Sequence, residues 1–286
     1  MINRTVLERI VDAALNEDIG SGDVTSEAVT PAGAWAAAVI VAKQQGVLAG
    51  IPVAAAVFAR VDSDLRIESL APEGERVQVG QTVARLEGSA RAILTGERTA
   101  LNFLQRLSGV ATAAAAFTAA CAGTRARIVD TRKTAPGLRA LDKYAVRVGG
   151  ASNHRWGLYD GVLIKENHIR AGGGITRAVA SARAHAPHTL RIEVECESLD
   201  QVEECLAAGV DIIMLDNMTT RRLADAVRMI DGRATVEASG NMTLARIPEV
   251  AATGVDLISV GALTHSTAAL DLSLQITDWR GTDIVV

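Results

Sequence analysis

The sequence predicts an α/β protein in two parts: a small mixed α+β domain at the N-terminus, then parallel strands alternating with helices in an arrangement of the barrel kind. Three observations carry this. Six apolar runs each end in a polar residue or a glycine: Ala126–Asp130, Gly161–Lys165, Arg191–Glu195, Asp211–Asp216, Thr235–Ser239 and Asp256–Gly261. Between them lie stretches such as Leu199–Ala208 and Leu223–Ile230, whose apolar residues recur three and four apart, the spacing of helices that cover a parallel sheet. Finally, Gly209-Val-Asp-Ile-Ile and Gly254-Val-Asp-Leu-Ile repeat one another, which sets two βα units in the same phase.

Taken in order, the chain opens on Met1-Ile-Asn-Arg-Thr-Val-Leu-Glu-Arg, a polar amphipathic start without the apolar segment of a signal peptide. No apolar run approaches the roughly 20 residues that span a bilayer, so the expectation is a cytoplasmic chain without a membrane partner. Val39–Ala42, Gly46–Gly50, Leu65–Leu70 and Thr82–Glu87 are short runs punctuated by glycine, the pattern of an antiparallel sheet. Pro72–Gly80 has the glycine-spaced hairpin form of biotinyl or lipoyl modules. No lysine occurs between residues 44 and 132 to carry a swinging cofactor, so the hairpin is architectural. Glu97–Ser108 has a strong helical pattern and links the two regions. The expected limits are 1–109 for the first domain and 110–266 for the barrel-like one, with the tail 267–286 returning to the first.

Composition is that of an ordinary globule, with 49% hydrophobic and 22% charged residues in 286. Charge is unevenly placed: residues 121–170 hold ten Lys/Arg against four Asp/Glu in a chain whose net charge is −4. The cations Arg132, Lys133, Arg139, Lys143, Arg147, Arg155 and Lys165, with His154, are interleaved with apolar strand residues and Gly149-Gly150. That placement suggests a pocket for a multiply charged anion and not a solvated stripe. Nucleic acid is a poor partner for a chain of pI about 5.8 with 3% aromatic residues. Cys121, Cys196 and Cys205 have no metal-ligand spacing and read as small buried hydrophobes, which excludes a disulfide scaffold or structural zinc.

Barrels of parallel strands carry function at the carboxyl ends of the strands. The candidate site is therefore Asp130 with Arg132 and Lys133, Lys165, Glu195, Asp216, Glu237 with Ser239, and Gly261.

The motifs Glu97-Arg-Thr-Ala-Leu-Asn, Leu107-Ser-Gly-Val-Ala-Thr, Asp130-Thr-Arg-Lys-Thr, Tyr144-Ala-Val-Arg-Val-Gly-Gly, Asn153-His-Arg, Ile164-Lys-Glu-Asn-His, Leu215-Asp-Asn and Val260-Gly-Ala-Leu-Thr-His, in this order, resemble the quinolinate phosphoribosyltransferases. The resemblance covers nearly the whole chain, from Glu17 to Ser266. It implies an N-terminal sandwich followed by an incomplete α/β barrel. The implied reaction moves phosphoribosyl from phosphoribosyl pyrophosphate to quinolinate with loss of carbon dioxide and pyrophosphate, giving nicotinate mononucleotide for de novo NAD biosynthesis. Magnesium is the implied cofactor. A homodimer, or a larger assembly of dimers, is also implied, with an arginine matching Arg98 donated across the interface.

Carried onto this sequence, the resemblance assigns the two substrate carboxylates to Arg98, Arg132, His154, Arg155 and Lys165, with Thr131 beside them. Lys133 and a divalent metal meet the pyrophosphate. Glu195 and Asp216 bind the ribose and are the candidate magnesium ligands, directly or through water. Ser239, Gly240, Asn241, Val260, Gly261 and Ala262 are assigned to the 5-phosphate. Lys133, Lys165, Glu195 and Asp216 are the implied catalytic set. Two rivals are a binding or accessory protein of the same fold associated with molybdate transport, and a barrel lyase using Lys165 as a Schiff base. The joint presence of Arg98, Arg132, Lys133, Arg155 and Lys165 argues against the first. The absence of an aldolase-like proton relay beside Lys165 argues against the second.

Overall fold

A computed structural model describes residues 2–281. They form two compact units: described residues up to Ala113 with Ala135–Gly150 and those from Thr267 on, and Ala114–Thr134 with Ala151–Ser266.

In the first unit an antiparallel sheet runs in the order Leu272–Arg280, Trp35–Ala42, Thr82–Ser89, Arg66–Ser69. Its central strand alternates as half-buried strands do, with Ala36, Ala38 and Ile40 fully buried on one face. The C-terminal strand is tied in by Leu270 N donating to Gln105 O at 2.9 Å and by Gln105 Nε2 donating to Leu272 O at 2.7 Å. Gly109 permits this approach, since a Cβ there would stand 2.1 Å from Ala268 O. The expected helix over 97–108 is the middle of a longer one, Ala90–Ala120, because Ala-rich sequence extends it at both ends. Of the expected strand over 46–50 only Gly46–Val47 is extended; Gly50 (φ 109°) turns the chain into the helix Ile51–Val61. The two amides that open this helix, Gly50 N and Ile51 N, donate to the Glu73 carboxylate. Tyr144 donates to the same carboxylate at 2.5 Å, which places a negative charge at the helix N-terminus.

Ala135–Gly150 packs with these N-terminal residues although it interrupts the parallel strands in sequence. Asp142 in the helix Arg139–Val148 is wholly buried and accepts a two-pronged bond from Arg106, at 3.0 and 2.9 Å. Lys143 is also wholly buried in this unit. Arg139, Lys143 and Arg147, which their closeness in sequence to Arg132 suggested for the cationic pocket, thus belong by packing to the first unit.

The second unit holds the parallel sheet, ordered Arg127–Val129, Leu257–Ser259, Thr235–Ser239, Ile212–Asp216, Ile192–Cys196, Val162–Ile164. Each matches an expected run to within two residues at either end. Consecutive strands are neighbours except at one place: the first pairs with the last instead of with the second, so the order is circular with a single break. The sheet is thus an open barrel. At the break, Ser152 satisfies the free edge of the first strand, with Ser152 N donating to Ile128 O and Asp130 N donating to Ser152 O. Register brings the strand ends level: Ser239 stands opposite Asp216, Cys196 opposite Leu215, and Ser259 opposite Val129. No described helix is long and apolar enough to cross a membrane.

Candidate active site

The carboxyl ends of the six strands enclose a cavity of about 670 Å3 within the second unit. Arg132 and Lys133 enter from the segment after the first strand, Arg155 from the segment at the break, and Lys165 from the end of the second strand. Opposite them, Glu195 and Asp216 come from adjacent strands. Lys165 Nζ stands 3.6 Å from Glu195 Oε2, and Asn217 Nδ2 donates to Asp216 Oδ2 at 2.5 Å. Lys165 is placed by its backbone, whose amide donates to His168 Nδ1 at the start of the helix Glu166–Gly172. Lys133 is placed similarly: its amide donates to Thr131 Oγ1, and its carbonyl accepts from Thr264 Oγ1.

One wall is built from strained backbone. Asn217 (φ 53°) and Asn241 (φ 47°) both adopt the left-handed conformation. Between them Gly240 (φ 90°) comes so close that a Cβ would stand 2.2 Å from Asn217 Oδ1 and 2.7 Å from its backbone nitrogen. Arg246 fastens both turns by donating to Gly240 O and Met218 O.

Near the cavity lies a buried acidic group, of which Glu237 lines the cavity itself. Asp130, fully buried, accepts from His154 N at 2.8 Å and from Asn153 Nδ2 at 2.6 Å. His154 Nδ1 accepts from Arg155 N at 2.7 Å. This fixes the tautomer with hydrogen on Nε2, which lies 3.2 Å from Glu193 Oε2 and 3.5 Å from Glu237 Oε2. Burial pushes the Glu237 carboxyl up to about 8; the Glu193 charge adds to the rise, while His154 and the Ser259 hydroxyl oppose it. Burial, and next the nearby Arg132, lower the pKa of Arg155, whose Nη1 donates to Gly161 O at 2.8 Å.

Thr131, Arg132, Lys133, His154, Arg155, Lys165, Glu195, Asp216, Ser239, Gly240, Asn241, Gly261 and Ala262 thus meet in one cavity. Val260 is buried behind it. Arg98 lies exposed on the helix Ala90–Ala120 in the first unit. Cys196 is no nucleophile: it is buried, and its contact with the Cys205 thiol, together with burial, raises its pKa.

A family model described as the N-terminal domain of quinolinate phosphoribosyl transferase matches residues 23–108, and its C-terminal counterpart matches residues 110–275. The chain belongs to the quinolinate phosphoribosyl transferase family. Among curated family members, a probable nicotinate-nucleotide pyrophosphorylase [carboxylating] of Synechocystis is 47% identical, over 92% of this chain and 90% of that protein. One from Bacillus subtilis is 42% identical over 96% and 95%. Among solved structures, NadC from Streptococcus pyogenes superposes with a TM-score of 0.94 at 42% identity, covering 99% of each chain.

In this member of the quinolinate phosphoribosyl transferase family the cavity also takes in residues that sequence reasoning passed over: Asn217, Met242, Thr243 and Ser259 at the rim and wall, and Leu163 and Met214 deeper. Glu193, which does not line this cavity but stands 3.2 Å from His154 Nε2, is the most consequential of the residues missed. The signal was present, because side chains two apart on a strand share a face, and Glu193 precedes Glu195 as Glu237 precedes Ser239.

Proposed function

We propose that this chain transfers phosphoribosyl from phosphoribosyl pyrophosphate to quinolinate and decarboxylates the adduct, as the names of its curated relatives indicate for them. The observation that carries the reading is the gathering of Arg132, Lys133, Arg155 and Lys165 above the strand ends, facing the carboxylate pair Glu195 and Asp216. Two polyanionic substrates need such a surplus of fixed positive charge, and a cationic carbon at the sugar needs carboxylates close by.

Arg132 and Arg155 supply guanidinium forks to the quinolinate carboxylates, with Lys165 as a point charge. The ring nitrogen's lone pair attacks C1 of the ribose, the C1–O bond breaks, and its electron pair leaves with pyrophosphate beside Lys133. Glu195 and Asp216 orient the ribose hydroxyls. Ser239, Gly240, Asn241, Gly261 and Ala262 offer a wall of small side chains and backbone to the 5-phosphate. The alkylated nitrogen then carries positive charge next to the C2 carboxylate, and the C2–carboxyl bond breaks because the remaining electron pair is stabilised there.

Glu195 and Asp216 also fit a magnesium ion. Each has one oxygen engaged, by Lys165 and Asn217 respectively, and two hard oxygen donors plus substrate oxygens and water are what this ion takes. When bound, the ion supplies charge neutralisation at the pyrophosphate. The working unit is a cytoplasmic homodimer in which Arg98 of each chain serves the other's cavity.

Two features support this over the rivals. The relatives that share more than nine-tenths of the chain's length carry the enzyme's name, and an ion pair with Glu195 suits Lys165 as a charged ligand more than as a Schiff-base amine. Incubation with quinolinate, phosphoribosyl pyrophosphate and magnesium should yield nicotinate mononucleotide, pyrophosphate and carbon dioxide. Failure to form pyrophosphate would remove the transferase reading.

A further inference from the structure

We infer that Glu237 is the acid that delivers a proton to C2 of the ring after carbon dioxide has left. The inference rests on the proposed reaction, which needs such a group. When the C2–carboxyl bond breaks, its electron pair stays on C2, and a C2–H bond must form before the product is nicotinate mononucleotide. In balance, the Glu237 O–H bond breaks, its proton joins C2, and Glu237 is left as a carboxylate that regains a proton from water. Guanidinium groups are unsuited to this, because arginine does not give up its proton in proteins.

Geometry selects Glu237. It sits in mid-strand on Thr235–Ser239, is wholly buried, and lines the active cavity. Among the described residues neither carboxyl oxygen makes a hydrogen bond of full geometry, the nearest donors being His154 Nε2 at 3.5 Å and the Ser259 hydroxyl, and Glu193 Oε1 likewise makes none. The groups that face Glu237 are Glu193 from Ile192–Cys196, His154 from the segment at the break, and Ser259 from Leu257–Ser259. Met214 is its register partner on Ile212–Asp216. Arg155 interacts with Glu193. Two carboxyls thus face the one N–H that His154 can offer, since its Nδ1 already accepts from Arg155 N. Two bare carboxylates packed together away from water are costly, and a proton on one of them relieves the repulsion. Burial falls most heavily on Glu237, which is the member held as the acid.

A route for resupply is also present. A second cavity of about 350 Å3 opens among the amino ends of the strands, at Arg127, Arg191 and Leu257, and reaches Glu193, His154 and Glu237 from below. Glu237 and His154 therefore stand between the two hollows, in the wall of each. Water admitted from the lower side can return the proton without crossing the substrate.

The test follows pyrophosphate and nicotinate mononucleotide separately in a single turnover. In Glu237→Gln the rate of mononucleotide formation relative to pyrophosphate release should fall by at least about 100-fold, the usual contribution of general acid catalysis. Glu237→Asp should restore part of it. An unchanged ratio in Glu237→Gln would overturn the assignment and leave Lys165 as the donor. The wild-type protein gives an independent check: mononucleotide formation should decline above pH 8 while pyrophosphate release does not, and parallel profiles would equally overturn it. Absence of pyrophosphate from the wild type is a different result, which would sink the transferase reading and this inference with it.

Discussion

Ser239 stands directly opposite Asp216 in the parallel register of neighbouring strands, so the residues that follow them form two turns side by side at the rim of the cavity. The contact between Gly240 and Asn217 is the seam between those turns, and it leaves no room for a side chain. Gly240→Ala should destabilise the protein by about 1–3 kcal/mol, the cost of a non-glycine residue forced into a left-handed position. It should also raise KM for phosphoribosyl pyrophosphate more than KM for quinolinate. Urea unfolding and initial-rate kinetics with each substrate varied would check both; an equal rise in the two KM values would detach this seam from the phosphate site.

Arg132 and Arg155 are expected to bind the planar dianion, and Arg155 is additionally fixed by its bond to Gly161 O. Arg132→Ala and Arg155→Ala should each weaken quinolinate binding about 10- to 100-fold, the range for losing a hydrogen bond to a charged group at about 1.5–3 kcal/mol. Arg155→Lys should recover little, because an ammonium cannot hold Gly161 O and a carboxylate in one plane. Calorimetric titration of quinolinate measures this, and retention of affinity in both alanine variants would remove the arginines from that role.

Much of this arrangement is legible in the sequence, and the exceptions have physical causes. Asp216 and Lys165 are visible because a polar residue that closes an apolar run marks the rim of a sheet. Glu237 is visible only through its neighbour Ser239, and Glu193 is harder to see because it sits inside its run, where an acid looks like an interruption until the period of two is applied. The helix Arg139–Val148 shows another limit: charge counted along the chain says nothing of which unit a segment packs in, and Asp142 pairs this one with Arg106 within the first unit. The left-handed turns at Asn217 and Asn241 depend on contacts between segments far apart in sequence, which no local pattern encodes.

The Arg106–Asp142 pair itself should matter for stability. Asp142 has no exposed surface and also accepts from Ala135 N at 3.1 Å. Removing Arg106 would leave that carboxylate buried without its cation. Arg106→Ala should therefore destabilise by about 3 kcal/mol, the lower end for a broken buried pair, because the arginine is partly exposed. Asp142→Ala, which removes the charge as well, should cost less than Asp142→Asn only if the cavity can close. Urea midpoints for the three variants rank these effects.

Stability should also respond to pH through Glu237. A carboxyl whose pKa rises from 4.5 to about 8 on folding holds more proton folded than unfolded between those values. Stability then falls as pH rises through that interval and levels off above it. Glu237→Gln lacks the titrating group, so its stability relative to wild type should improve from pH 5 to pH 8 and stay constant beyond. Parallel stability curves for the two proteins would show that Glu237 titrates normally.

Arg98 offers a test of assembly that needs no structure of the dimer. If it serves the partner's cavity, Arg98→Ala and Lys133→Ala chains should each be inactive alone but regain activity when mixed and allowed to exchange. In a mixed dimer the Arg98→Ala chain keeps its own Lys133 and receives an intact Arg98 from its partner, so one of the two cavities is complete. With random pairing about half the dimers are mixed, and activity should recover to about a quarter of wild type, the yield of a two-fold interface that shares residues reciprocally. If Arg98 instead served its own chain's cavity, every cavity in the mixture would lack one of the two residues, and mixing would restore nothing.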